Sequence, residues 1–114
     1  MSANKKIKAV FYATGSGNEP VRNWLKDLPA EDRKALGEDI AAVEFTWPVG
    51  MPLVRAMKQG LWELRSTLPG NRIARILFCQ VGDQMVLLHG FIKKTQKTTD
   101  EDLALARKRQ KEIT

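Results

Sequence analysis

The sequence has few of the side chains that bind metals or form disulfides. It contains one cysteine, Cys79, and one histidine, His89, among 114 residues. A single cysteine cannot form an internal disulfide, and these two residues are too few sulfur and nitrogen ligands for a structural zinc site. The sequence therefore predicts no metal site and no other cofactor. Because Cys79 lies in an apolar run, we interpret it as part of the core.

Long apolar runs are also missing. No stretch approaches the roughly 18 apolar residues that a membrane span needs. Lys8 interrupts the short apolar patch near the N-terminus, so the pattern is not that of a signal peptide. The 43% apolar and 28% charged residues are typical of a globular protein, and the length fits one domain over residues 1–114. We expect this domain to act in the cytoplasm, without a membrane partner.

Acidic residues are scarce in one part of the chain. The net charge is +6, yet residues 1–54 and residues 100–114 each carry equal numbers of basic and acidic side chains. The whole excess lies in residues 55–99, where the acidic residues are Glu63 and Asp83 and the basic ones are Arg55, Lys58, Arg65, Arg72, Arg75, Lys93, Lys94 and Lys97. Such a concentration is typical of a site for a polyanion such as nucleic acid. Charge alone is equally compatible with a solvated basic surface.

The pattern of apolar residues and turn formers predicts elements in the order β-α-α-β-β-β-α. A strand over residues 5–13 is followed by two helices, and a loop is predicted for residues 49–60. Thr99 is the predicted N-cap of the last helix. Before it come three strands joined by short turns, over residues 61–68, 72–81 and 84–92. We therefore predict a single α+β domain, in which a mainly antiparallel sheet carries its helices on one face.

Side-chain alternation in the first of these three strands separates two faces of the sheet. Trp62 and Leu64 point toward the predicted core, so Glu63 and Arg65 lie on the opposite, open face. The middle strand is apolar on both faces, and Arg75 is the charge in its interior. A charge in an apolar strand needs a reason, and we expect Arg75 to join Arg65 on the open face.

In the last strand, His89 and Phe91 share one face, and the core face is assigned to the aliphatic residues Val86, Leu88 and Ile92. On an open face, Phe91 is a candidate surface for a stacked base and His89 a candidate acid–base group. The simpler interpretation is that His89 makes a hydrogen bond across the sheet and Phe91 packs in the core.

Three segments of the basic region carry specific sequence motifs. LWELR at residues 61–65, RILF at residues 75–78 and LLHGFIKKTQKT at residues 87–98, followed by a charged last helix, resemble the RelE/ParE superfamily. The resemblance is greatest to its HigB-like, phage-derived branch. It implies a RelE-like fold and the toxin of a type II toxin–antitoxin system. The implied activity is that of a ribosome-dependent, metal-independent endoribonuclease (an mRNA interferase), and the implied partners are mRNA, the ribosome and a cognate helix-turn-helix antitoxin.

The resemblance also implies roles for individual residues. It assigns the catalytic positions to Arg65, Arg75, Lys93, Lys94 and Lys97. We expect further RNA contacts from Lys58, Arg72, His89 and Phe91. One departure from the RelE members is the lack of a tyrosine near the last helix, since the only tyrosine, Tyr12, lies in the first predicted strand. Phe91 is therefore a substitute for the stacking aromatic.

The expected chemistry uses a nucleophile that RNA itself carries. The 2′-hydroxyl group attacks the adjacent phosphorus once the backbone is turned in line. Arginine side chains donate to the phosphate oxygens as negative charge develops, and a lysine among other cations accepts the proton. Two other functions stay open: a ParE-like inhibitor of DNA gyrase, and a nucleic-acid-binding module without catalysis.

Overall fold

The computed structural model describes residues 4–93 and 98–114, which form five strands and three helices. In chain order the elements are β1 (Lys8–Phe11), α1 (Pro20–Lys26), α2 (Ala30–Thr46), β2 (Val54–Ala56), β3 (Leu61–Leu68), β4 (Arg72–Val81), β5 (Gln84–Lys93) and α3 (Asp100–Ile113). The predicted α+β class is confirmed. In the described part of the chain, no helix is long and apolar enough to cross a bilayer.

A five-stranded sheet with the order β1-β5-β4-β3-β2 organises the fold. β1 runs parallel to β5, and the other neighbouring strands are antiparallel. Strands β3, β4 and β5 are the predicted meander. The prediction that residues 49–60 form only a loop is wrong, because Val54–Ala56 form the strand β2, which pairs with β3. Three residues are too few to show side-chain alternation, and the glycines and prolines around β2 favour a turn.

Helices α1 and α2 cover one face of the sheet through the apolar stripes that the sequence predicts. Pro20 stands in the first turn of α1, where its missing N–H costs no hydrogen bond. The two stripes pack in one core cluster that includes Val21, Trp24, Leu25, Leu28, Leu36, Ile40, Val43 and Trp47. Burying one such leucine or valine contributes about 1.5–3 kcal/mol. This packing fixes the face on which Leu64 lies and directs Arg65 to the other.

Helix α3 lies on that other face, so the prediction that all helices share one face is wrong. Its buried Ala106 packs with Leu77 and Phe91 in a second apolar cluster. Thr99 caps the helix by accepting a hydrogen bond from the backbone N–H of Asp102, as predicted. Because β4 is apolar on both faces, both need cover. Strand alternation does not show which helix supplies it.

A bulge in β5 changes the alternation of that strand. Leu77 of β4 pairs with His89, but the next residue of β4 pairs with Leu87, so Leu88 is an inserted residue. The insertion turns Leu88 toward α3, on the same face as His89. The prediction that Val86 and Leu88 lie opposite His89 is therefore wrong, since both belong to the cluster under α3.

Gly90 lies where β5 meets α1 and has no room for a side chain. A Cβ atom at Gly90 would lie 2.6 Å from two ring carbons of Trp24. We expect Gly90→Ala to lower the free energy of unfolding by about 1–3 kcal/mol, the usual cost of overpacking. Gly37→Ala in α2 is the matched control, because its Cβ meets no atom within 4 Å and alanine favours a helix by about 0.5–1 kcal/mol. Urea unfolding measures both, and equal midpoints for the two variants would contradict the clash.

Candidate active site

The sheet register aligns most of the predicted site residues across three neighbouring strands. On the face that α3 covers, Arg65 of β3 pairs with Arg75 of β4, and Arg75 pairs with Phe91 of β5. Paired residues on antiparallel strands have Cβ atoms about 4.5–5.5 Å apart. The rows on either side are Glu63–Leu77–His89 and Thr67–Ile73–Lys93. We call these three rows the site band.

Arg65 lies at the open edge of the site band. The pairing of β2 with β3 stops at Leu64, and beyond it the N–H of Arg65 donates to the carbonyl oxygen of Leu53 at 2.9 Å. The side chain of Arg65 is half-buried and lines a groove of about 450 Å³ together with Asp39, Pro52, Leu53, Thr67 and Ile73. Among the described residues, no acceptor contacts its buried Nε atom. A buried donor without an acceptor is unfavourable, and an anionic ligand in the groove would supply one.

Arg75 is only 1% exposed, so the prediction that it lies on an open face is wrong. Its Nη1 atom donates to Oε1 of Glu63 at 3.1 Å and to Oγ1 of Thr98 at 3.3 Å. The hydroxyl group of Thr98 in turn donates to Glu63. All three side chains are buried, because the chain that enters α3 crosses the site band here. Arg75 therefore connects β3, β4 and the start of α3 instead of facing solvent.

The lysines of the predicted site belong to the segment that leads from β5 to α3. Lys93 is the last residue of β5, and its backbone pairs with Ile73. Lys94 and Lys97 lie outside the described residues. The described chain continues at Thr98, which directly follows Lys97 and is held by Arg75. Both ends of this lysine segment, residues 93–98, are thus attached to the site band.

His89 and Phe91 make contacts that hold α3 on the sheet. Nε2 of His89 lies 2.8 Å from Oδ1 of Asp102, in the first turn of α3. The two rings stack with their centroids 5.2 Å apart. His89 is half-buried and Phe91 is buried, so neither ring offers a broad surface to a nucleobase. These contacts favour the structural interpretation of both residues.

Two of the predicted RNA contacts lie away from the site band. Arg72 extends toward α2, where its Nη2 atom donates to both carboxylate oxygens of the buried Asp32, at 2.8 and 3.0 Å. Lys58 lies in the exposed turn before β3, and its carbonyl oxygen accepts a hydrogen bond from Arg107 at 3.4 Å. The count of positive charges groups these residues with Arg65 because it takes no account of the sheet face on which each lies.

A cluster around Tyr12 was not predictable from the sequence. The hydroxyl group of Tyr12 donates to Oε2 of Glu112 at 2.5 Å, and the guanidinium carbon of Arg109 lies 5.5 Å from the centre of its ring. The hydrogen bond to Glu112 raises the pKa of Tyr12 above its usual value. Arg109 also donates to the carbonyl oxygen of Leu88 at 2.7 Å. The only tyrosine therefore does lie against the last helix, through a contact that spans 100 positions in the chain.

One protein family matches most of this chain. The sequence profile of the family described as "Phage derived protein Gp49-like (DUF891)" matches residues 23–111. The matched region begins within α1 and ends within α3, so it contains the whole site band. No protein of curated function matches the chain at a significant level.

Proposed function

This chain belongs to the Gp49-like family of phage-derived proteins, a family of RelE-like toxins, and we propose that it cleaves mRNA on the translating ribosome. The observation that carries the proposal is the guanidinium group of Arg65. It lines an open groove, and its Nε atom lacks an acceptor among the described residues. A phosphate oxygen of RNA would supply that acceptor, and arginine binds phosphate through two parallel hydrogen bonds.

The proposed reaction is attack by the 2′-hydroxyl oxygen on the adjacent phosphorus atom. The P–O5′ bond breaks, the leaving O5′ oxygen takes a proton from water, and the products carry a 2′,3′-cyclic phosphate and a 5′-hydroxyl group. Arg65 donates to the non-bridging oxygens, on which negative charge grows in the transition state. A lysine accepts the proton of the 2′-hydroxyl group. The candidates are Lys93, Lys94 and Lys97.

Arg75 has a different role in this proposal from the catalytic one that the resemblance implies. Because it is buried against Glu63 and Thr98, it does not reach RNA and acts as a positioning residue. Its bond to Thr98 attaches the C-terminal end of the lysine segment to the sheet. Its effect on cleavage therefore passes through the position of Thr98 at the start of the chain that enters α3.

A toxin of this family needs a partner that neutralises it, and we propose a cognate antitoxin of the helix-turn-helix type. Acidic side chains of the antitoxin would cover the groove at Arg65, because charge complementarity selects the partner. Coproduction with the product of the adjacent gene should relieve growth arrest.

The reaction is tested by the ends of the RNA fragments in a translating extract. We expect in-frame cuts that leave 5′-hydroxyl ends, and a single 2′-deoxy nucleotide on the 5′ side of the cut should abolish cleavage there. Cuts that leave 5′-phosphate ends or survive the 2′-deoxy substitution would contradict the mechanism. Intact mRNA with inhibited DNA supercoiling would support the gyrase inhibitor. Intact mRNA with salt-sensitive RNA binding would support a module without catalysis.

A further inference from the structure

The groove at the edge of β3 has a second polar group that the cleavage chemistry does not use. Its volume of about 450 Å³ is within the usual range of ligand pockets, about 300–1,000 Å³. Arg65 lines the groove together with Asp39 of α2, yet no ion pair joins these two described residues. The groove is also lined by the apolar side chains of Pro52, Leu53 and Ile73. A cation, an anion and apolar walls in one groove are the elements of a nucleotide site.

Asp39 is held in place by a buried hydrogen bond. The hydroxyl group of Ser66, which is 0% exposed, donates to Oδ2 of Asp39 at 2.5 Å. Asp39 itself is half-buried at the wall of the groove. An ionised carboxylate only accepts hydrogen bonds, so the group bound beside it must carry N–H or O–H donors. The same negative charge repels phosphate, so the phosphate is assigned to Arg65 and the base to Asp39.

Among the four RNA bases, guanine has the edge that fits a carboxylate best. Its N1–H and N2–H groups are adjacent donors that can reach the two oxygens together. Adenine and cytosine place an acceptor nitrogen beside their amino group, and uracil places its one N–H between two carbonyl groups. Bases of single-stranded RNA are read on these edges. We propose that the groove is a guanine subsite for the RNA substrate, an inference that rests on the proposed ribonuclease function.

Nucleotide binding tests the subsite without any cleavage. The purified protein is titrated with the 5′-monophosphates of guanosine, adenosine, cytidine and uridine, and the backbone amide signals of Arg65, Thr67 and Ile73 are followed by NMR. We expect guanosine monophosphate to bind about tenfold more tightly than the other three. Inosine monophosphate, which lacks the N2 amino group, should bind with intermediate affinity. Equal affinities for all nucleotides, or no shift at these amides, would overturn the proposal.

Variants of Asp39 connect this preference to the carboxylate. Asp39→Asn keeps an oxygen that accepts from Ser66 but places a donor amide in the groove, so the guanine preference should disappear. Ser66→Ala keeps the charge of Asp39 but removes the hydrogen bond that orients its carboxylate. This variant should therefore weaken the guanine preference. Asp83→Asn is the matched control, because Asp83 lies in the exposed turn before β5. A guanine preference that persists in Asp39→Asn, with an unchanged melting temperature, would contradict the proposal.

The positions of the cuts separate this inference from the proposed function. If both are right, guanine is enriched beside the mapped cuts, and Asp39→Asn removes the enrichment. Cleavage without guanine enrichment, together with equal nucleotide affinities, overturns the subsite and leaves the ribonuclease function standing. Intact mRNA together with selective binding of guanosine monophosphate overturns the ribonuclease function instead.

Discussion

Replacement of Arg65 by alanine is expected to reduce the rate of mRNA cleavage by about 100-fold or more, the usual effect of removing one electrostatic donor from an active site. The fold should tolerate the change. Among the described residues Arg65 makes no ion pair, and loss of its buried Nε atom removes a donor that lacks an acceptor. We therefore expect the free energy of unfolding to change by less than about 1 kcal/mol. Fragment mapping and thermal unfolding of the same preparation measure the two effects.

Two further variants identify what Arg65 contributes. Arg55→Ala removes an equal charge from an exposed position in β2 and should leave cleavage within about a factor of two, because water and salt screen an exposed charge. Arg65→Lys keeps the charge but loses the two parallel donors, so its rate should lie between those of the wild type and Arg65→Ala. Equal losses in Arg55→Ala and Arg65→Ala would mean that the basic charge only attracts RNA. Full toxicity of Arg65→Ala would contradict the proposed site.

The alternation of side chains in β3 was enough to predict the face of Arg65, but it could not predict which residues stay accessible. Arg65 and Arg75 are direct neighbours on that face. Arg65 lies at the edge, where pairing with β2 has stopped, whereas Arg75 lies in the middle strand under the chain that enters α3. Periodicity shows the direction of a side chain relative to its own strand. It contains no information about the element that covers the face.

The contacts that were not predictable join residues far apart in the chain. The Ser66–Asp39 hydrogen bond spans 27 positions, and that between Thr98 and Glu63 spans 35. In the sequence, Asp39 is an ordinary polar residue of an amphipathic helix. It lines the groove only because α2 packs against β3. The bulge at Leu88 was also not predictable. The insertion of one residue into a pair of strands depends on the partner strand as much as on the strand itself.

The basic residues that the sequence concentrates in residues 55–99 do not form one patch in the structure. Arg72 pairs with Asp32 on the α2 side, and Arg75 pairs with Glu63 in the interior. Both ion pairs include a fully buried carboxylate. Two of the eight basic side chains in residues 55–99 are therefore paired with carboxylates within the fold, so this segment exposes fewer unpaired cations than its composition suggests.

Replacement of Arg75 by alanine is expected to destabilise the protein strongly, in contrast to Arg65→Ala. The substitution leaves the carboxylate of Glu63 buried without its cation, which costs about 3–5 kcal/mol. A domain of this size has a total stability of about 5–15 kcal/mol, so the variant should lose a large part of it. Urea unfolding followed by circular dichroism measures the loss. An Arg75→Ala variant that is as stable as the wild type would contradict the buried pair.

A double variant then separates stability from positioning. Glu63→Leu combined with Arg75→Met removes both charges and fills the space with apolar groups, and replacements of this kind restore or raise stability. In this double variant Thr98 has neither of these two partners, so the chain that enters α3 loses this attachment to the sheet. We therefore expect wild-type stability with cleavage reduced by about tenfold or more, since small displacements of catalytic groups have large effects on rate. Wild-type cleavage by the stable double variant would show that the triad of Arg75, Glu63 and Thr98 serves only the fold.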